Sequence, residues 1–139
     1  MNDNRVIELL TELPFFGHLG LAVAHCSEGR VEVEMPFRAE MSSDYTAFPA
    51  AIVGAIGDVA AVASSLSCLP EGWFTATLDF TVKTTKPAIG QKLLAKGRAL
   101  QVGTTISVAQ ADIFTVTDGE ETQCATLLAS SRNFRIAGA

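Results

Sequence analysis

The spacing of apolar residues changes period along the chain. Residues 4–13 place Val6, Ile7, Leu9, Leu10 and Leu13 at helical intervals. Asn2 or Asp3 can cap this helix, and Pro14 stops it. Residues 19–26 and 30–37 read as strands around the turn Ser27-Glu28-Gly29. The alternation Val31-Glu32-Val33-Glu34-Met35 marks the second strand as half-exposed. Residues 39–47 form a polar loop. Residues 49–69 are apolar, small or hydroxylic on every side, apart from one acid, with Pro49 near the first turn. The spacing predicts a buried helix there, about 30 Å long at 1.5 Å per residue. After Pro70-Glu71-Gly72 the period falls to two. Phe74, Ala76, Leu78, Phe80 and Val82 alternate with Thr75, Thr77, Asp79, Thr81 and Lys83. A turn at residues 87–90 leads to three long strands, 91–102, 104–117 and 121–134. Gly103 and Asp118-Gly119 separate them.

The order is therefore helix, two strands, long helix, four strands, with no linker and no repeat. This predicts a single α+β domain over residues 1–139. A six-stranded antiparallel sheet, apolar on one face, wraps around the long helix. A helix apolar on all sides needs cover beyond one concave sheet. A second protomer supplies it, so self-association is expected.

Composition narrows the function. Hydrophobic residues make up 48% of the chain and charged residues 18%, which excludes a disordered chain. The net charge of −5 argues against a nucleic-acid face, which needs a basic footprint. Cys26, Cys68 and Cys124 are odd in number and widely spaced, as expected of free thiols in a reducing compartment. Met1-Asn2-Asp3-Asn4-Arg5 leads into an amphipathic segment rather than a signal core, so the chain reads as cytoplasmic. The long apolar run could be tested as a membrane span. It is rich in Ala, Gly and Ser, holds an acid at its centre and lacks flanking Lys or Arg, so no membrane partner is expected.

That acid is Asp58, the one charged residue between Asp44 and Glu71. A lone carboxylate on a buried helix is expensive to desolvate, and its pKa should be perturbed. It is the first candidate for chemistry. A structural acid bonded to a buried partner would also account for it. Thr77 lies among other strand threonines and needs no special role from propensity alone. His18 and His25 have no metal-ligand spacing to each other or to Cys26, and no metal site is expected. Lys83, Lys86, Lys92, Lys96 and Arg98 form a basic cluster that is either a solvated face or an anion site.

The element order and several short stretches resemble the hotdog fold, and within it the PaaI-like acyl-CoA thioesterases. The resemblance runs from about Pro14 to Phe134. It rests on Leu19-Gly20-Leu21, Met35-Pro36, the run from Thr77 to Pro87, Gly97-Arg98 and Asp118-Gly119. In that family a His-Gly-Gly triplet opens the central helix, and an acid follows nine residues after the His. Asp58 keeps this register, but the triplet is Pro49-Ala50-Ala51 here. Ser43 stands where the family commonly has Asn, and Thr104 where it often has a basic residue.

The resemblance implies an acyl-CoA thioesterase with Asp58 as general base or nucleophile. It implies that the Ala50 N–H polarises the carbonyl and that Thr77, from the opposite protomer, holds the attacking water. Ser43, Ala51, Lys83, Lys86 and Arg98 are the implied substrate contacts. No cofactor is expected, coenzyme A being part of the substrate, and the assembly implied is a homodimer or a dimer of dimers. Two other readings stand beside this one. The altered triplet suits a hotdog protein that binds an acyl thioester without turnover. A hydratase or dehydratase would need a His near the helix, and none is there.

Overall fold

The computed structural model describes residues 1–138. The N-terminal helix α1 (Asp3–Thr11) is capped by Asn2, whose side chain accepts from the Arg5 N–H at 2.8 Å. It buries Val6 and Leu10. Pro14 does not simply end this helix. It opens a second short helix, α2 (Pro14–His18), because its missing N–H costs nothing at a first helical position. Gly20, at φ +71°, turns the chain into strand β1 (Ala22–Ser27), which therefore starts three residues later than expected. Strand β2 (Arg30–Pro36) follows, then a 3-10 turn over Ala39–Met41 inside the polar loop.

The central helix α3 (Ala50–Leu66) lies within the expected 49–69 span. Four strands complete the chain: β3 (Trp73–Thr84), β4 (Lys92–Val102), β5 (Ile106–Thr117) and β6 (Glu120–Arg135). Asp118 and Gly119, both at positive φ, make the last hairpin turn. All pairings are antiparallel, in the order β1-β2-β4-β5-β6-β3. The fold is the six-stranded antiparallel sheet around a long helix that the alternation predicts. Among the described residues no helix is long and apolar enough to cross a membrane.

The small residues of α3 let the sheet approach its backbone. A Cβ on Gly97 of β4 would overlap the Ala60 carbonyl and lie 2.6 Å from Ser64 Oγ. Ser64 Oγ accepts from the Val31 N–H at 3.0 Å and donates to the Ala60 carbonyl, so both of its roles are filled in a dry contact. Ser67 Oγ likewise accepts from the Gly29 N–H at 2.8 Å and donates to the Ser64 carbonyl. These bonds fix the helix against β2 and the hairpin before it.

One chain covers more of α3 than its composition suggests. Beyond the exposed first two residues, its half-exposed positions are Ile52, Ala55, Asp58 and Val62. Spaced three or four apart, they form a single stripe. The rest is covered by the sheet, with Val6 and Leu10 of α1 in the same core cluster.

Strand β3 departs from strict alternation. Thr77 pairs with Ser131 but Asp79 pairs with Ser130, so Leu78 is an inserted bulge residue, 57% exposed. The bulge inverts the strand's faces. Before it, Thr75 and Thr77 point toward the helix, while Phe74 is half-buried and tilted against Phe134 across the strand pair. After it, Phe80 and Val82 turn inward, where both would meet a Cβ on Gly54.

Candidate active site

Helix α3 runs antiparallel to β3, so Gly54 lies by Phe80 and Val82 while Asp58 lies by Thr77. The bulge turns Thr77 inward, and its hydroxyl donates to Asp58 Oδ1 at 2.8 Å. This corrects the expectation that Thr77 faces Asp58 from the opposite protomer: the pair forms within one chain. Burial pushes the Asp58 carboxyl above the ordinary carboxylate range, and the Thr77 hydrogen bond pulls part of the way back. Asp58 stands at the edge of an apolar cavity of about 190 Å³ between α3, the N-terminal helices and the start of β3.

A second cavity, of about 520 Å³, opens at the N-terminus of α3. Ser43, Ala50 and Lys86 line it, together with Phe48, Pro49 and Thr84. Pro49 is the N-cap, with no side-chain bond closing the helix end. The first bonds into the helix come from Ile52 and Val53 to the Pro49 carbonyl. Among the described residues no acceptor meets the N–H of Ala50 or Ala51. Those orphan donors sit at the positive end of the helix dipole, where they can polarise a carbonyl oxygen. Ser43 hydrogen-bonds back to the Ala47 carbonyl through both its N–H, at 3.1 Å, and its hydroxyl, at 3.3 Å. It shapes the loop at the cavity's rim.

The basic residues divide. Lys86 reaches the cavity at the α3 N-terminus. Lys83 pairs with Thr126 and lies with Gln110 and Leu128 on the convex outer face. Arg98 is on that face too, donating to Gln110 Oε1 at 2.8 Å. Neither joins the cavity that holds Lys86. Lys92 and Lys96 are held in ion pairs with Glu34 and Glu121. His25 bonds Ser27 at the first hairpin. His18 ends α2, and its carbonyl accepts from Arg38. Neither histidine lines the cavity that Asp58 borders.

Ala50 and Asp58 are eight residues apart on one helix, about 12 Å along its axis at 1.5 Å per residue. The Ala50 N–H and the Asp58 carboxylate of one chain therefore cannot meet on one carbonyl group. This follows from the helical rise alone and was readable in the sequence. The hydrophobic walls beside Asp58 were not, because α1 and α2 carry no mark of what they pack against.

No family model and no curated protein sequence matches the chain. Solved structures do. A thioesterase family protein from Silicibacter pomeroyi is 26% identical, with a TM-score of 0.91 over 95% of this chain and 97% of that one. A thioesterase from Haemophilus influenzae is 20% identical, with a TM-score of 0.84 over 99% and 93%. A phenylacetic acid degradation-related protein from Ralstonia eutropha is 18% identical, with a TM-score of 0.76 over 91% and 98%. In fold, the chain resembles the hotdog thioesterases.

Proposed function

We propose that the protein hydrolyses acyl thioesters of coenzyme A at a site shared by two copies of the chain. The observation that carries this reading is Asp58: a half-buried carboxylate with a raised pKa, oriented by Thr77 at the mouth of an apolar cavity. A carboxylate so placed suits proton abstraction from water, or direct attack on a carbonyl carbon. In the first case the water oxygen bonds to the carbonyl carbon and Asp58 takes the proton. The C–S bond then breaks, and the proton passes to the departing thiolate.

The oxyanion needs donors that Asp58's own chain cannot bring. Strand β3 supplies a route to them. It is an edge strand of 12 residues whose exposed Leu78 and Phe80 (42% accessible) would template pairing. Two β3 strands pairing antiparallel about Phe80 set Thr84 of one copy opposite Ala76 of the other, next to its Thr77. The cavity at one copy's α3 N-terminus, which Thr84 and Lys86 line, then meets its partner's Asp58. The same approach covers the half-exposed stripe of α3. Ala50 donates to the oxyanion and Lys86 meets coenzyme A phosphate.

A second reading, binding of an acyl thioester without turnover, has its own support. Pro49 supplies no N–H, and Ser43's hydroxyl is turned to Ala47. Turnover of a panel of acyl-CoAs, followed by release of free thiol, tests the two. Hydrolysis is expected, falling roughly a hundredfold or more in Asp58→Asn, the scale of lost general-base catalysis. Unchanged hydrolysis in a folded Asp58→Asn protein would reject the role of Asp58. Binding without thiol release favours the second reading.

A further inference from the structure

We infer that the cavity beside Asp58 selects a straight, unsubstituted acyl chain of medium length, and that the N-terminal segment sets that length. The inference rests on the reading of Asp58 as the group that meets the thioester, and it names the substrate class.

The cavity's lining follows α3 over more than two turns. It starts at Asp58 and passes Val59 and Val62 to Leu66. From Asp58 to Leu66 the helix advances eight steps, about 12 Å, the extended length of an acyl chain of about nine or ten carbons. A single aromatic ring on a short linker fills about half of that run. Leu10, Leu13 and Phe15 form the facing wall. Leu10 and Leu66 are almost fully buried, at 5% and 2% accessible, whereas Phe15 is 43% exposed.

The lining is selective in what it lacks. Apart from Asp58, its polar side chains are Thr75 and Thr77. Thr77 is committed to Asp58, and the Thr75 hydroxyl donates to Asn133 Oδ1 at 2.8 Å. Both hydroxyl protons are therefore spent within the protein, and from Val59 to Leu66 the helix side of the run carries no polar side chain to meet a hydroxyl or carboxylate on the acyl chain. Such a group would lose its water without gaining a partner. Each buried methylene, in contrast, adds to transition-state binding until the run is filled.

The test is kcat/KM over straight-chain acyl-CoAs from two to sixteen carbons, with phenylacetyl-CoA and 10-hydroxydecanoyl-CoA included. The expected profile rises about fourfold per methylene to about ten carbons and then levels or falls. The hydroxylated substrate should lose about tenfold or more against decanoyl-CoA. Val62 stands one turn beyond Asp58 and lines the run, so Val62→Phe blocks it midway, and light scattering on the variant checks that the copies still pair over this stripe. It should cut decanoyl-CoA turnover by about thirtyfold and leave butyryl-CoA within about threefold; an equal loss on both overturns the inference. So does a flat chain-length profile, or a preference for phenylacetyl-CoA, in an enzyme that does hydrolyse thioesters. If no acyl-CoA is hydrolysed, thioether analogues of butyryl- and decanoyl-CoA decide separately. Tighter binding of the decyl analogue, lost in Val62→Phe, supports the cavity while the hydrolase reading falls. Equal binding of the two analogues overturns the cavity as well.

Discussion

A site shared between protomers can be tested by mixing two defective chains. Asp58→Asn removes the carboxylate. Ala50→Pro removes only the other half, because Ala50 is the first residue of α3. Proline's fixed φ and missing N–H are tolerated at that position. Pro49 before it has ψ 152°, already in the extended region that a following proline requires. Loss of one oxyanion donor is expected to lower kcat by about a hundredfold to a thousandfold. Each homodimer should then be nearly inactive. In a mixed dimer, one site takes Asp58 from the Ala50→Pro chain and the Ala50 N–H from the Asp58→Asn chain, so it is whole. The other site carries both defects. Random mixing of equal amounts makes about half of the dimers mixed, each with one good site of two, so about a quarter of wild-type activity should return. The assay is thiol release after the two variants are unfolded together and refolded. If the donor and the carboxylate belonged to one chain, no mixture would recover anything. Failure to rise above the two homodimers, with mixed dimers demonstrated by mass, refutes the shared site.

Two further outcomes concern the scaffold. Gly97→Ala forces a methyl into the Ala60 backbone, which cannot retreat as a side-chain end can, so stability should fall by about 3 kcal/mol in urea unfolding; a loss under about 0.5 kcal/mol would show that the helix can slide. Asp58 has a folded-state pKa above its unfolded value, so its favourable contribution holds below the ordinary carboxylate range and is lost as pH rises through the raised pKa. Asp58→Asn, which can still accept from Thr77, should therefore melt higher than wild type at neutral pH, with the gap closing in acid; a lower melting point at neutral pH would show that the ionised carboxylate stabilises the fold.

The chain's period changes revealed its architecture because helix and strand bury different intervals. They could not reveal the bulge. Strict alternation put Phe74, Ala76 and Leu78 on the face of Phe80 and Val82, yet one inserted residue reverses the first half of β3. Nothing in Thr77-Leu78-Asp79 distinguishes an insertion from continued alternation. The reversal is what carries Thr77 to Asp58. The unusual setting of Asp58 was legible, because a single acid in an apolar helix is costly to bury. The place of Ala50 in the first turn of α3 was legible too, from Pro49 at the head of the apolar run. Lys83 and Arg98 were drawn to the site by proximity in sequence, whereas the strand's parity sends them to the outer face. Pro14 was ambiguous in principle, since proline both ends one helix and begins another.

The placement of the carboxylate follows from how α3 is held. On the side toward β2 and β4, the helix is fixed by backbone contact at Gly97 and by the Ser64 and Ser67 hydroxyls. Any larger residue there would push the helix off the sheet. Its one incompletely covered stripe is Ile52, Ala55, Asp58 and Val62. A carboxylate on the fixed side would be fully desolvated and without room for a ligand. On a mobile helix it would drift relative to any donor brought by a second chain. Asp58 occupies the position that avoids both failures. It is anchored by the rigid contact behind it and oriented by Thr77 beside it. It is also open along the same stripe that a partner and an acyl chain would have to reach. On the proposed reading, the small residues of α3 serve packing directly and would serve chemistry indirectly: they would hold the helix still enough that about 12 Å of its length could separate two halves of a site without blurring either.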